Sequence, residues 1–351
     1  MKPAVVLTVY NEAKAGWRER DNPDGTKSFQ YEDALSSKHH GNELRATIES
    51  VRENTGIAVP IVCVDDGSTD GCAAGLEAEG ITVVKHKERI GIGFSRREGV
   101  AALPSDCDAV MFLDAHMRLS AGCLEHCAEL ALSHNAVVWP DTRGLRDRKR
   151  YTKPKTPAQA AEIWTGHGAR PRTYDDKKTR QGMFGYDWIA NRPVDALSRS
   201  HALISPGYSM PIKLWNMVRP SALSRGFGAN DASVWVKSFF LDIPILHTCS
   251  SMVRHMFRAD PQDARPYTAT SAEVHRNMGL LARVCFDAKS WEGWWWPEVF
   301  SAREFTKDSL VALDSVQLME EHLLFQAQKK RSDREFFVGL CHEPCPAGVS
   351  E

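Results

Sequence analysis

The stretch DAVMFLDAH, residues 108–116, indicates a β-strand whose apolar run ends in polar residues. Asp114 and His116 are two positions apart, so on an extended backbone both side chains can point to one side. In parallel sheets flanked by helices, ligands bind at the carboxyl ends of the strands. This stretch therefore predicts a strand of the central sheet with a candidate ligand site at its end.

Short apolar runs alternate with helical patterns on both sides of this strand. AVVLTVY, residues 4–10, is apolar on both faces, as expected of a central parallel strand. Further strands are predicted over residues 59–66, 81–86 and 135–140, and helices over residues 42–54, 71–80, 92–103 and 120–133. This alternation predicts an α/β fold with a mostly parallel, Rossmann-like central sheet and helices on both faces.

Two regions depart from this alternation. Residues 13–40 are polar and rich in turn-forming residues, which predicts a long loop beside the end of the first strand. From residue 259 onward, amphipathic stretches at 270–286 and 308–330 predict a mainly helical region. We therefore divide the chain into an α/β domain, residues 1–258, and a helical C-terminal region, residues 259–351.

The helical region contains four tryptophans within six positions, Trp291, Trp294, Trp295 and Trp296. Such a cluster can form a platform on which a sugar or a base stacks. It can equally pack the helical region against the α/β domain. We favour the packing role, and both alternatives stay open from the sequence.

The composition is that of an ordinary globular protein, with 42% hydrophobic and 25% charged residues. No apolar run approaches the roughly 18 to 20 residues of a membrane span. The N-terminal apolar run is short and passes directly into a polar motif, unlike a signal peptide. Nine scattered cysteines suit core positions in a reducing compartment. We therefore expect a cytoplasmic protein without a membrane anchor of its own.

The charge is unevenly distributed along the chain. The net charge is −1, but residues 143–180 contain twelve Lys or Arg against four Asp or Glu. A local excess of eight positive charges favours an anionic partner nearby. The segment follows the strand of Asp114 and its helix, which places it on one side of the expected site.

The stretch VDDGSTDG, residues 64–71, puts Asp65 and Asp66 at a strand end, followed by a tight turn. A strand-end carboxylate can accept a hydrogen bond from uracil N3–H or from ribose hydroxyls. Gly67 would let the backbone approach a ligand closely. The same pattern is also common where an Asp caps a helix. Alone, the stretch therefore leaves both interpretations open.

Asp114 and His116 offer one oxygen and one imidazole ligand, which suits Mn²⁺ or a similar divalent ion such as Mg²⁺. Phosphate oxygens of a nucleotide diphosphate would complete the coordination shell. The metal would then stabilise the charge that develops on the departing diphosphate. An Asp-x-His pair by itself is weak support for such a site.

The order of the motifs VVLTVYNE, VDDGSTDG and FLDAH at strand ends resembles the GT-A glycosyltransferases of the family-2 type. Within that fold, the chain is most similar to the catalytic domain of the polypeptide N-acetylgalactosaminyltransferases. Further similar segments are ERIGIGFSRREGVAA (88–102), RGFGANDASVWVKSFF (225–240) and CSSMVRHMFR (249–258). The resemblance covers residues 3 to about 258. It implies a hexosyltransferase that uses a UDP-sugar donor and Mn²⁺ or Mg²⁺.

The resemblance also implies roles for individual residues. Donor-binding roles fall on Thr8, Tyr10, Glu12, Asp65, Asp66, Arg96 and Asp114. Within this set, Asp65 or Asp66 contacts the uracil or ribose, and Arg96 lies near the diphosphate or sugar. Metal ligation falls on Asp114, His116 and His255.

The chain departs from the family pattern at the catalytic segment. Where the retaining transferases have Trp-Gly-Gly-Glu-Asn, this chain has FGAND, so that Asn230 replaces the Glu. The wider family-2 enzymes often carry Glu-Asp here, with the Asp as base of an inverting displacement. Asp231 matches that Asp and could take the proton of the acceptor hydroxyl. The alternative is that Asp231 only complements a helix dipole.

The acceptor is not determined by these motifs. The basic segment favours DNA, with Lys and Arg on phosphates and the Trp cluster or Tyr151 stacked on a displaced base. A hydroxymethylated base, as in viral DNA modification, would have to leave the stack first. The protein would then act in the cytoplasm of a virus-infected bacterial host. The alternatives are a protein Ser, Thr or Tyr hydroxyl and a saccharide or small molecule.

Two other functional classes are disfavoured. A non-catalytic sugar-nucleotide-binding scaffold is disfavoured by the presence of Asp114, His116, Asp231 and His255. A nucleotidyltransferase is disfavoured because TVYNEAKAG follows the first strand in place of a Gly-rich Arg-Lys loop. The absence of a lectin module and of an anchor in this sequence disfavours a secretory role. The helical region, residues 259–351, is a candidate for acceptor binding.

Overall fold

A computed structural model describes residues 1–13, 17–21, 24, 27–31, 38–145, 169–173, 184–188, 196–203, 207–256, 269–301, 303 and 305–350. Most of the basic segment 143–180, including Tyr151, lies outside the described residues.

The centre of the molecule is a mixed, mostly parallel β-sheet, which confirms the predicted fold class. Within the described residues its strands lie in the order β11 (Leu197–Arg199), β13 (Ile245–His255), β8 (Val137–Gly144), β12 (Gly207–Pro211), β6 (Ala109–Asp114), β1 (Pro3–Val9), β4 (Ile61–Asp65) and β5 (Thr82–Lys85). A ninth strand, β7 (Met117–Leu119), pairs with β13. β1 is parallel to β4 and β6, β4 to β5, and β13 to β8. β12 runs antiparallel to β6 and β8.

β1 is central because successive residues along it are apolar on opposite faces. Val5 and Leu7 belong to one buried hydrophobic cluster, and Val6 belongs to another. Successive side chains of a strand point to opposite faces, so the two clusters are the two sides of the sheet. Helices α1 (Glu43–Glu53) and α3 (Cys123–His134) supply residues to the Val5 side. A strand buried on both faces in this way is apolar along most of its length.

The other side of the sheet is covered by α2 (Ile92–Ala101), α4 (Ile212–Val218) and α5 (Asn230–Phe240). α2 lies close to the sheet because Gly99 faces Val6 and Val64; a Cβ there would lie 2.5 Å from Val6 Cγ1. Helices therefore cover both faces, as the alternation of apolar runs predicts. The predicted helices over 42–54, 92–103 and 120–133 are all present.

Two local predictions were wrong. The predicted helix over 71–80 is a series of turns that ends in a 3₁₀ turn, Glu77–Glu79. Gly71, Gly75 and Gly80 all adopt positive φ, between 73° and 79°, which no α-helix contains. Residues 13–40 are not only a loop, because β2 (Trp17–Asp21) and β3 (Lys27–Tyr31) pair as an antiparallel hairpin.

The C-terminal region is helical, as predicted. α6 (Ser271–Cys285) begins at a capping box formed by Thr270 and Glu273. It is followed by α7 (Ala288–Ser290), a π-helical segment (Trp291–Phe300), α8 (Lys307–Leu313), α9 (Val316–Gln326), α10 (Asp333–Glu335) and a second π-helical segment (Phe336–Cys341). The predicted single stretch 308–330 is split because Ser315 caps α9, accepting a hydrogen bond from Leu318 N at 3.3 Å. None of the described helices is long and apolar enough to cross a membrane.

The C-terminal region shares a hydrophobic core with the α/β domain. Trp295 is 1% exposed, and its ring centroid lies 4.8 Å from that of Phe286. Phe336 packs against Trp235 and Phe240 of α5, at centroid distances of 6.1 and 5.6 Å. The tryptophan cluster thus contributes mainly to packing, although Trp296 keeps 37% of its surface exposed. The division at residue 258 stays a prediction.

A second two-stranded sheet lies outside the central one. β9 (Ala169–Thr173) pairs antiparallel with β10 (Phe184–Trp188). Phe184 is buried, and its ring centroid lies 5.0 Å from that of Trp295. This contact attaches the chain that follows the basic segment to the tryptophan cluster.

Candidate active site

Asp114, His116 and His255 come together at the end of β6. β7 follows Asp114 after a bend at residues 115–116 and pairs antiparallel with β13, which sets His255 opposite Met117. One ligand atom from each of the three residues lies within 4.8 Å of the others. His255 Nε2 is 3.4 Å from Asp114 Oδ2, and the two imidazole centroids are 4.8 Å apart. We call these three residues the metal group.

The metal group has the chemistry of a divalent-cation site. A carboxylate and two imidazoles suit Mn²⁺ and related ions. Burial would raise the pKa of Asp114, but the hydrogen bond from His255 and the charge of Arg96 outweigh it, so the pKa of this carboxyl is lowered. The Asp114 carboxylate is therefore anionic at neutral pH. The donor set thus fits the ion that the sequence predicts.

Arg96 lies between two carboxylates rather than in the open cleft. It is 1% exposed, with Nη2 3.3 Å from Asp114 Oδ1 and Nη1 3.6 Å from Asp231 Oδ1. Nη1 also donates to the Tyr208 hydroxyl at 3.2 Å. One buried guanidinium therefore carries the compensating charge for both acids. The sequence indicated Arg96 as a site residue, but not these partners.

Asp231 stands in the first turn of α5. The chain enters the helix through Gly228 and Ala229, both at positive φ, 105° and 60°. This sharp entry leaves 29% of the Asp231 side chain exposed while Arg96 holds one of its oxygens. The position suits both a base and a complement to the helix dipole.

The two acids of the Asp-rich turn have different surroundings. Asp65 is 3% exposed and accepts a hydrogen bond from Ser68 N at 2.8 Å. Asp66 accepts hydrogen bonds from the backbone N–H groups of Ile90 (2.8 Å) and Gly91 (2.9 Å). Its Oδ1 also lies 2.8 Å from Nδ1 of His86. Asp66 therefore holds residues 90–91 in place beside the site.

The first-strand motif and the Asp-rich turn bind each other. Asn11, at φ 53°, donates its backbone N–H to Ser68 Oγ at 3.0 Å and accepts from Thr69 N at 2.8 Å. Ala13 N donates to Asp70 Oδ2 at 2.7 Å. Sequence reasoning assigned both motifs to a ligand and missed these hydrogen bonds between them. The signal available was an Asn at the strand end together with a turn of short side-chain acceptors.

The remaining predicted residues lie at the carboxyl end of β1 and just beyond it. Thr8 and Tyr10 are half-buried at the carboxyl end of β1, and Thr8 is in register with Asp114. Glu12 is 3% exposed, with Oε1 3.3 Å from Nδ1 of His116. The structure thus brings Glu12 to the metal group.

Gly67 brings the Asp-rich turn against the backbone of residues 88–89. Its φ is 82°, and a Cβ would lie 2.5 Å from the carbonyl carbon of Glu88 and 2.7 Å from Arg89 N. The close approach expected at this glycine therefore involves the protein's own chain. A backbone neighbour cannot move aside as the end of a long side chain can.

Replacing Gly67 with alanine should destabilise the fold by about 2 to 5 kcal/mol, from unfavourable φ and overpacking together. The free energy of unfolding in urea measures this loss. Gly71→Ala is the matched control, because Gly71 also has positive φ (73°), but a Cβ there would meet no atom of the described residues within 4 Å. It should lose only about 1 to 2 kcal/mol. Equal losses in the two variants would contradict the packing argument.

His86 gives the fold a pH dependence. Burial would lower its pKa, but hydrogen bonds with Asp66 and Glu98 outweigh it and raise the pKa above its ordinary value. A raised folded-state pKa means that the stabilisation is complete below the unfolded-state pKa of about 6.5. It is lost as pH rises through the folded-state pKa.

The difference in unfolding free energy between wild type and His86→Gln should therefore be larger at acidic than at alkaline pH. Urea unfolding at a series of pH values between about 5.5 and 9 measures it. His134→Gln, at an exposed position in the last turn of α3, serves as the control. A His86 difference that stays constant or grows with pH would contradict the assignment.

Comparisons with known proteins agree with the observed fold. Residues 37–193 match the model of glycosyl transferase family 2. No curated protein matches the sequence. The crystal structure of GalNAc-T7 with UDP, GalNAc and Mn²⁺ matches with a TM-score of 0.67 at 14% identity, over 98% of this chain and 59% of that one. The chain therefore has the GT-A fold and spans about three fifths of the GalNAc-T7 chain.

Two further structures are more distant. One is that of S. aureus TarS residues 1–349 with UDP-GlcNAc, at a TM-score of 0.46 and 14% identity, over 93% of this chain and 79% of that one. The other is that of M. tuberculosis glucosyl-3-phosphoglycerate synthase with Mn²⁺, UDP and phosphoglyceric acid. Its TM-score is 0.44 at 16% identity, over 82% of this chain and 80% of that one.

Proposed function

We propose that this chain is a glycosyltransferase that moves a sugar from a UDP-sugar to an acceptor hydroxyl with the help of Mn²⁺ or Mg²⁺. It has the GT-A fold, and its residues 37–193 match the family-2 model. The observation that carries the proposal is the convergence of Asp114, His116 and His255 within 4.8 Å. GalNAc-T7, which has a similar fold, was crystallised with UDP and Mn²⁺, in support of the same donor and ion.

Asp114, His116 and His255 would hold the metal ion. When bound, the ion supplies positive charge that stabilises the diphosphate as it leaves the sugar. The half-buried setting of these side chains strengthens that electrostatic effect. The remaining steps belong to side chains of this chain.

The donor is proposed to lie along the carboxyl ends of β1 and β4. Thr8 and Tyr10 would border the nucleotide, with Asp65 as the acceptor for uracil N3–H or a ribose hydroxyl. Asp66 is the weaker candidate of the pair, because both of its oxygens already accept backbone hydrogen bonds. Arg96 would lie near the diphosphate or sugar and would act on it indirectly, by holding the carboxylates of Asp114 and Asp231.

The transfer is proposed to invert the anomeric configuration, with Asp231 as the base. A carboxylate oxygen of Asp231 takes the proton of the acceptor hydroxyl while the hydroxyl oxygen bonds to the anomeric carbon. The bond from that carbon to the diphosphate oxygen breaks, and the electron pair leaves with the diphosphate. Supporting this, Asp231 is part-exposed and is joined to Asp114 through Arg96. An axial product from an axial donor would contradict inversion.

For the acceptor, we propose a hydroxymethylated base in DNA. The support is the excess of eight positive charges in residues 143–180, more than a diphosphate alone requires. The setting would be the cytoplasm of a virus-infected bacterium. The competing acceptors are a protein Ser, Thr or Tyr hydroxyl and a saccharide. A scaffold that binds sugar nucleotides without turnover is the non-enzymatic competitor.

A donor screen with Mn²⁺ tests these proposals in one format, by following released nucleoside diphosphate with and without hydroxymethylated duplex DNA. DNA-dependent release from one UDP-sugar is the expected result. Metal-dependent release without stimulation by DNA would retain the transferase and remove the DNA acceptor. Absence of release from every donor would favour the scaffold. In parallel, DNA binding should weaken steeply as salt increases, and failure to bind DNA at low salt would also remove that acceptor.

A further inference from the structure

Glu12 is a buried carboxylate that contacts the metal group without belonging to it. The group comprises Asp114, His116 and His255. Glu12 is 3% exposed, and its Oε1 lies 3.3 Å from Nδ1 of His116. A carboxylate buried this deeply is costly unless it is paired. The burial of Glu12 is therefore understandable if its carboxylate interacts with the imidazole of His116.

The backbone fixes Glu12 from both sides. Before it, Asn11 takes up positive φ and is held by Ser68 and Thr69 through two hydrogen bonds. After it, the carbonyl oxygen of Glu12 accepts a hydrogen bond from Glu43 N, the first residue of α1, at 3.2 Å. The backbone that carries the Glu12 side chain is therefore fixed, and the side chain itself is buried beside His116.

We propose that Glu12 is a positioning residue for His116, an inference that rests on the proposed metal site. In neutral imidazole one ring nitrogen carries the proton and the other offers the lone pair. In this structure Oε1 of Glu12 and Nδ1 of His116 are 3.3 Å apart without the alignment of a hydrogen bond. A turn of the imidazole on metal binding would let the carboxylate accept the Nδ1–H, which leaves the lone pair on Nε2 for the metal. Such a partner also fixes the ring orientation and raises the basicity of the ligand nitrogen.

The role predicts a graded response to substitution. Removing an outer partner of a ligating histidine commonly weakens metal binding by about 10- to 100-fold. Glu12→Ala should fall in that range. Glu12→Gln retains a carbonyl oxygen that can accept the Nδ1–H, but it lacks the negative charge. It should therefore lie between wild type and Glu12→Ala.

The experiment measures Mn²⁺ affinity by calorimetry on the full chain without donor, together with the visible spectrum of the Co²⁺-loaded protein. The spectrum reports ligand geometry independently of activity. Glu98→Gln is the matched control, since Glu98 also pairs with a buried histidine, His86, outside the metal group. Asp114→Asn is the reference for loss of a ligand. Circular dichroism melts check that each variant is folded.

We expect Mn²⁺ to bind most weakly to Glu12→Ala, more tightly to Glu12→Gln and most tightly to the wild type. The Co²⁺ spectrum should shift in both Glu12 variants and should stay unchanged in Glu98→Gln. Wild-type affinity and spectrum in both Glu12 variants, with binding lost in Asp114→Asn, would overturn the inference alone. Absence of Mn²⁺ binding by the wild type would overturn the proposed metal site itself. If Glu12→Ala does not fold, the isosteric Glu12→Gln decides.

Discussion

Replacing Asp231 with asparagine is expected to lower kcat for sugar transfer by about 10²- to 10⁴-fold, the usual contribution of general base catalysis. Asparagine has nearly the same shape but cannot take the acceptor proton. Mn²⁺ affinity should change little, because Asp231 lies outside the metal group. The measurement is initial rate at saturating donor and acceptor, with Mn²⁺ binding determined on the same preparation. The retaining transferases have Asn at this position, so the variant also tests the departure of this chain from their pattern.

A helix-dipole role would give a different outcome. An acid in the first turn of a helix stabilises it by about 0.3 to 1 kcal/mol. Asp308 stands in the first turn of α8 and is exposed, so Asp308→Asn measures that effect alone. If Asp231→Asn loses only as much stability as Asp308→Asn and keeps its kcat, Asp231 is a dipole complement and not the base.

Asp114→Asn is expected to lose metal-dependent transfer by about 10³-fold or more, because metal stabilisation of the leaving group contributes several kcal/mol. The amide oxygen is neutral and a weaker ligand than the carboxylate. Mn²⁺ binding should weaken in parallel with the rate. The same variant removes one partner of Arg96, so a urea-unfolding measurement must accompany the kinetics.

The control for Asp114 lies at the other end of the same stretch. Asp108 is exposed immediately before β6 and accepts a hydrogen bond from Lys2 N at 2.9 Å. Asp108→Asn should retain both rate and Mn²⁺ affinity. Unchanged Mn²⁺-dependent transfer by Asp114→Asn would remove the metal group from the mechanism.

The sheet was predictable from the sequence because its information is local. Apolar runs that include Val5 to Leu7 and residues 109–113 are continuous, and α1 begins after Asn42, whose side chain accepts a hydrogen bond from Arg45 N. The spacing of Asp114 and His116 predicted that they would lie together, although β6 ends at Asp114 and His116 lies in the bend that follows it. His255 came only from the resemblance, since its place depends on the pairing of β13 with β7 and β8.

What escaped prediction depends on contacts between distant segments. The sequence indicated that Asp66 and Gly67 would serve a ligand, whereas their partners are other parts of the chain. The hydrogen bonds between Asn11 and the Asp-rich turn were not predicted at all. Each of these residues joins two loops, and no periodicity records which loops meet. The partners of Arg96 were unpredictable for the same reason, because they come from three separate elements.

The aromatic core beneath α5 has a consequence for how this protein can change over evolutionary time. α5 presents Asp231 at its beginning, while Trp235 and Phe240 on the same helix are completely buried against the C-terminal region. Insertions or substitutions in the C-terminal region would alter the packing that positions α5 and, with it, the proposed base Asp231. We therefore expect a changed C-terminal region to leave Asp231 in place only if the residues that pack on Trp235 and Phe240 are kept.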